Sequence, residues 1–221
     1  LFSLYQLMGP TGQVTLETQA NSYLLDDSPG AIAAYSLRQL SSSYTGPVIE
    51  VRRSSDDARM NISFNATGDL DTVTLKNFVG SGDGYVTTWY SQVDDHPMIS
   101  TGQDTQPFIM INGSIIRNDG RITLFFDGSD PDDGPGDFLR AGGLSSILLS
   151  DYTFYSLLTE EPGSRDGPET DFSGIYYDRS YTGAAFRGIQ TYINTNSVRF
   201  GDAAGSITLS KFDMFLIRNN G

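Results

Sequence analysis

Stretches in which apolar and polar residues alternate recur along this chain roughly every ten residues, each closed by Gly, Asp or Asn. A period of two over four to eight residues marks a half-buried β-strand. Val14, Leu16 and Thr18 alternate with Thr15 and Glu17, which predicts one early strand in an extended segment covering residues 1–28. A strand over 48–53 is predicted to pair with 60–64. In a strand over 85–90, Val86, Thr88 and Tyr90 should face one way and Tyr85, Thr87 and Trp89 the other. Further strands are predicted at 107–111, 122–126, 138–140, 152–158, 174–177, 184–188, 197–201, 206–209 and 212–217. Two short helices interrupt the pattern in the N-terminal third. Ser28 as N-cap and Pro29 at the first helical position predict one over 30–40, frayed by Ser41, Ser42 and Ser43. Asp69 or Asp71 caps a second over 72–79, stopped by Gly80. Short strands at this spacing give an all-β sandwich or barrel.

Composition agrees. The 221 residues suffice for one core in one domain. The 24 Gly and 9 Pro demand frequent turns, which favours short strands over long helices. Net charge is −13, and of 27 acids only five are Glu, leaving 22 Asp, a residue of loops and caps. Such a surface repels phosphate backbones, so nucleic acid is excluded as a partner. The count of zero cysteines excludes disulfides and thiolate metal sites and points to a bacterial or viral source. The sequence contains no apolar run of about 18 residues, so no membrane insertion is expected.

Four pieces occur in order: residues 34–57 around Gly46-Pro47 and Arg52-Arg53, Gly-Asp-Leu-Asp at 68–71, Thr-Thr-Trp-Tyr-Ser-Gln at 87–92, and Leu-Phe-Phe-Asp-Gly-Ser-Asp at 124–130. As a set they resemble the catalytic-domain family of α-L-arabinofuranosidase B. They are more similar still to concanavalin-A-like (laminin-G-like) sandwich domains of phage tail and virion proteins. The likeness spans about residues 31–160. It implies a concanavalin-A-like antiparallel β-sandwich of jelly-roll type over 31–221, possessing the two short helices, behind an extended docking arm at 1–30.

Glycoside hydrolysis needs two carboxyl groups flanking the scissile bond, about 5–5.5 Å apart for retention. The arabinofuranosidase resemblance implies a Glu nucleophile on an inner strand of the second half, yet Glu160, Glu161 and Glu169 all fall in a Pro/Gly-rich loop. Ser91 stands where that family usually shows Asp. Glu50 is the one strand-borne Glu, and an ion pair with Arg52 or with an Arg on the partner strand is its expected role. A Ser91, His96 and Asp104 triad has no elbow motif to support it, and His96 reads as a loop residue. Asp127, Asp130, Asp132, Asp133 and Asp137 could offer oxygen ligands to a structural Ca²⁺, or form a solvated turn inserted between two strands. Apart from that Ca²⁺, no cofactor is expected. Carbohydrate contact needs aromatic faces beside hydroxyls, amides and acids, and Tyr176, Tyr177, Asp178, Tyr181, Tyr192 and Asn194 offer that mix. Asn61, Asn65 and Asn112 match the N-glycosylation pattern.

Together with the phage likeness, these readings lead to a non-enzymatic virion surface protein in a tail, fibre or head-decoration role. Its expected partners are other virion proteins, copies of itself and host glycans, and its place is the virion surface. The alternatives are a glycoside hydrolase of arabinofuranosidase type and a plain structural oligomerisation module. Arg-Asn-Asn-Gly at 218–221 reads as the opening of a tight hairpin turn, so a further strand is expected from beyond Gly221 or from a neighbouring chain.

Overall fold

The computed structural model describes residues 23–93, 95–127 and 137–141, and the backbones of strands at 6–8, 14–16, 152–158, 172–179, 186–192, 197–200, 203–205 and 213–219. Strands β1 (Gln6–Met8) and β2 (Val14–Leu16) form a small antiparallel ribbon. After helix α1 (Leu24–Asp27) come β3 (Ile49–Arg53), β4 (Arg59–Ile62), helix α2 (Thr72–Val79), β5 (Gly84–Trp89) and β6 (Met98–Ile99). A 3₁₀ turn at Gln103–Thr105 precedes β7 (Phe108–Ile111), β8 (Ser114–Ile115), β9 (Arg117–Asn118), β10 (Arg121–Ile122) and β11 (Phe138–Ala141). The last strands are β12 (Tyr152–Leu158), β13 (Phe172–Arg179), β14 (Phe186–Tyr192), β15 (Ser197–Phe200), β16 (Ala203–Gly205) and β17 (Asp213–Asn219).

One eleven-stranded sheet runs β16-β15-β14-β13-β11-β6-β5-β3-β4, with β7 branching from β5 and carrying β8. Every pairing in it is antiparallel except β11 with β13. Strands β12 and β17 pair apart from it. The chain is thus mostly antiparallel β with two helices, and no helix among the described residues is long and apolar enough to cross a membrane.

Helix α2 forms where its local signals place it. The Asp71 carboxylate accepts the Val73 and Thr74 N–H groups, each at 3.1 Å, and Gly80 at φ 71 ends the helix. Its buried face, Leu75, Phe78 and Val79, joins Val51, Ile62 and Val86 in the core. Burial of each such side chain contributes about 1.5–3 kcal/mol. Replacing Asp71 by alanine should cost about 1 kcal/mol, read as a lower urea midpoint at unchanged slope. An unmoved midpoint would show the cap to be idle.

The helix expected over 30–40 does not form. Ser28 ends α1, its N–H bonding to the Leu24 carbonyl, and Pro29 follows a helix instead of opening one. Gly30 adopts φ 103, outside the helical region. Beyond it the backbone is claimed from a distance. Leu37 O accepts Leu70 N, Gln39 N donates to Gly68 O, and Gln92 N donates to Ala34 O. The Gln92 side chain accepts Leu40 N at 2.7 Å and donates to Ser36 O and Arg38 O. These groups would otherwise make the i→i−4 ladder. Helix α1 is tied to the same stretch by Leu25 N to Leu40 O and by Asp26, which accepts from Ser41 and Ser42.

The alternation expected along 85–90 is also broken. Glu50 pairs with Thr88 but Val51 with Val86, so Thr87 is an extra, bulged residue. Val86 therefore joins the core row while Thr88 stays level with Glu50. The strand expected at 122–126 shrinks to Arg121–Ile122 plus an isolated bridge from Phe125 to Phe108. The strand at 206–209 lies outside the described residues. Arg218 and Asn219 continue β17 and open no turn before Asn220.

Candidate functional site

Register sorts the central strands into two faces. On one, Ile62, Ile49, Trp89, Met98 and Ala141 stand level across β4, β3, β5, β6 and β11, and all but the half-buried Trp89 are buried. On the other, Asn61, Glu50, Thr88, Ile99 and Arg140 stand level. Here Asn61, Ile99 and Arg140 are exposed and Glu50 and Thr88 half-buried. The sheet is therefore open on this side at its middle strands. Strands lie about 4.8 Å apart, so the row from β4 to β11 is about 19 Å long.

Glu50 is held in place on this face. The bulge turns the Thr87 hydroxyl onto its carboxylate at 2.6 Å, and Arg59 on the partner strand approaches at 3.4 Å. The ion pair expected for Glu50 is thus made with the partner strand's arginine. Beside it the Tyr90 hydroxyl donates to Asn61 at 3.0 Å. Burial, and then the charge of Glu50, raise that hydroxyl above its ordinary pKa.

Further along the same face Arg52 is nearly enclosed, at 6% exposure. Its guanidinium donates to Gln106 Oε1 at 2.7 Å, Asp57 at 2.6 Å and Gln103 O at 3.3 Å, and lies 4.3 Å over the Tyr85 ring. Asp57 reaches it from a left-handed turn at φ 58. Gln106 Nε2 is buried without a hydrogen-bond partner among the described residues. Tyr85 also packs on Phe108 at 4.8 Å. Burial, then Asp83, raise the Tyr85 hydroxyl, Arg52 pulls it down, and Asp137 and Asp57 raise it again. Asp137 thus belongs to this electrostatic neighbourhood.

Asp137 and Asp127 close the neck of the acid-rich segment. Asp137 N donates to Asp127 O at 2.9 Å, and Asp127 N donates to the Asp137 carboxyl at 2.8 Å. Asp137 is 5% exposed. Burial pushes its carboxyl up to about 7, with the Asp127 charge adding and the Asp127 N–H opposing. A carboxyl that is still half protonated near pH 7 can give up a proton as a general acid does.

The remaining candidates separate. Tyr176 pairs with Arg140 and Gly188, Asp178 with Arg187, and Tyr192 with Phe172, which puts the three on the adjoining strands β13 and β14. Tyr177 sits at the register shift between Tyr176 and Asp178. Tyr181 and Asn194 lie outside the described residues, as do Asp130, Asp132 and Asp133, on which the calcium expectation mostly rests. Among the described residues no three metal-ligating side chains come together. Ser91 is committed to structure, its hydroxyl accepting Ala34 N at 3.2 Å. Asn65 Oδ1 caps a local turn through Thr67 and Asp69. Sequence reasoning passed over Arg140 and the seat of Arg52. An arginine between buried Leu139 and Ala141 was the available signal for the first.

The family model for the catalytic domain of α-L-arabinofuranosidase B matches residues 22–113. Among solved structures, an arabinofuranosidase complexed with arabinofuranosyl-α-1,2-xylobiose is similar at TM-score 0.55 and 16% identity, over 89% of this chain and 48% of that one. Two GH54 α-L-arabinofuranosidase structures follow. A mutant soaked with 4-nitrophenyl α-L-arabinofuranoside has TM-score 0.46 and 16% identity, over 86% and 46% of the two chains. One soaked with a cyclic sulfate inhibitor has TM-score 0.45 and 14% identity, over 85% and 46%. The chain spans about half the length of these structures. Comparison with the curated proteins found no match.

These findings correct the main expectation. The family match falls on the catalytic domain of a glycosidase, so the reading as a non-enzymatic tail, fibre or head-decoration protein of a virion is overturned, and with it the reading that the chain is no enzyme. Of the two resemblances, the arabinofuranosidase one stands.

Proposed function

We propose that this chain is a glycoside hydrolase domain of arabinofuranosidase type, built on a concanavalin-A-like β-sandwich and acting on arabinofuranosyl groups of a polysaccharide. The observation that carries this reading is the catalytic-domain match over residues 22–113, which includes Asn61, Glu50, Thr88 and Ile99 of the open row, Arg52 and Gln92, while Asp137 and Arg140 follow it in the chain. The open polar face supports it, because a sugar needs donors and acceptors beside an apolar surface. Within the reading Asp137 is the first candidate proton donor, and Tyr176, Tyr177, Asp178 and Tyr192 are candidate glycan contacts on the adjoining strands.

The test is turnover of 4-nitrophenyl α-L-arabinofuranoside by the folded chain. Turnover is expected, and changing one acid to its amide should lower kcat by about 10²–10⁴-fold. A folded protein inert on this substrate and on arabinose-bearing polysaccharide would overturn the reading.

A further inference from the structure

We infer that Arg140 is the anion-recognising residue of the open sheet face and receives the carboxylate of a uronic acid carried on an otherwise neutral polysaccharide. The inference rests on the proposed function only for the class of ligand.

Arg140 lies in β11, a strand flanked on both sides by β6 and β13. Its neighbours Leu139 and Ala141 are fully buried, while Arg140 itself is exposed. A cation is therefore presented from the middle of a sheet and not from a rim or loop.

The other arginines whose side chains are described all have partners. Arg38, Arg52, Arg53 and Arg59 pair with Asp69, Asp57, Asp56 and Glu50. Arg117 donates to Gly120 O, and Arg121 also has a partner. Arg140 has none among the described residues. In a chain with 27 acids against 14 bases, a carboxylate neighbour would be the easiest partner to supply. With no described carboxylate on it, the guanidinium offers its planar fork of donors to an external carboxylate, which it can bind through two parallel bonds.

The residues level with it fit the rest of such a ligand. Ile99, 40% exposed, gives an apolar surface for the C–H face of a sugar ring. Thr88 and Glu50 follow with a hydroxyl and a fixed carboxylate, and Asn61 adds an amide at the edge. A row of about 19 Å has room for several sugars. Net charge decides the density of acid: at −13 the molecule repels a polyuronate, whereas one carboxylate on a neutral chain meets Arg140 without that penalty.

The experiment compares binding of the full chain to a glucuronic-acid-substituted xylo-oligosaccharide and to the same oligosaccharide with its carboxyl reduced to the alcohol, by calorimetry at low salt. One charge-assisted contact should make the acidic ligand bind about tenfold tighter. Arg140→Met should abolish that preference with an unchanged melting temperature, and Arg140→Lys should retain part of it. Equal affinity for the two ligands, or a preference that survives in Arg140→Met, overturns the assignment. Since binding is read without turnover, a failure here leaves the aryl-glycoside assay free to support the hydrolase reading, and the reverse also holds.

Discussion

Replacing Gln92 by leucine is expected to destabilise the fold by about 4 kcal/mol, a large part of the total that a domain of this size possesses. Gln92 is 5% exposed, and its amide makes three hydrogen bonds to the backbone of residues 36–40. Leucine fills the volume but orphans Leu40 N, Ser36 O and Arg38 O, partners of part-buried bonds, and each group left unsatisfied away from water costs about 1–3 kcal/mol. The effect should spread, because the clamped segment also pairs with Leu70 and carries α1 through Leu40 O. Glutamate should not rescue, since an ionised carboxylate would face the two carbonyls that the amide now donates to. Urea denaturation with matched fluorescence and circular-dichroism transitions measures the loss. A loss below about 1 kcal/mol would mean that water replaces the amide without penalty.

The same residue explains which parts of the fold were legible. Helix α2 could be read because Asp71 and Gly80 act within their own turn. The pairing of β3 with β4 could be read because its hairpin is local, whereas the partner-strand arginine that Glu50 meets, Arg59, stands diagonal to it, across from Arg52. Residues 30–40 misled because Ser28 and Pro29 give a sound helix start, while the groups that forbid the helix lie at Gly68, Ser91 and Gln92. The parallel pairing of β11 with β13 has no local signature at all. The bulge at Thr87 was invisible for the same reason: it is defined by the partner strand.

For the site, the misreading came from demanding that both carboxyls show themselves on strands. A catalytic pair is a tertiary arrangement, and composition along the chain cannot exclude it. Sequence did single out Glu50, as one half of an ion pair, and the segment from Asp127 to Asp137, as a calcium site or a solvated turn. What it could not supply was burial: nothing in the string Asp127 to Asp137 shows that its last acid is enclosed while its first is half-exposed.

That burial gives the second large prediction. The Asp137 carboxyl titrates near 7 in the fold against an ordinary 3.8. Between those values the folded protein holds a proton that the unfolded chain has released, so stability must fall as pH rises through the window. The contribution is fully present below about pH 3.8 and gone above about 7. Three pH units at about 1.36 kcal/mol each set its size at about 4 kcal/mol. Asp137→Asn keeps an oxygen to accept Asp127 N–H at the same place and removes the titration. The variant should match the parent near pH 4, exceed it increasingly up to about pH 7 and hold a constant lead above that. Asp56, held down to about 2 by Arg53, works with the opposite sign, its contribution being lost as pH falls, and it stays ionised throughout this range. Chemical denaturation at unit pH steps from 4 to 8 therefore isolates Asp137. A constant difference between the two proteins would show that Asp137 is ionised in the fold and that its neighbourhood is wetter than its burial implies.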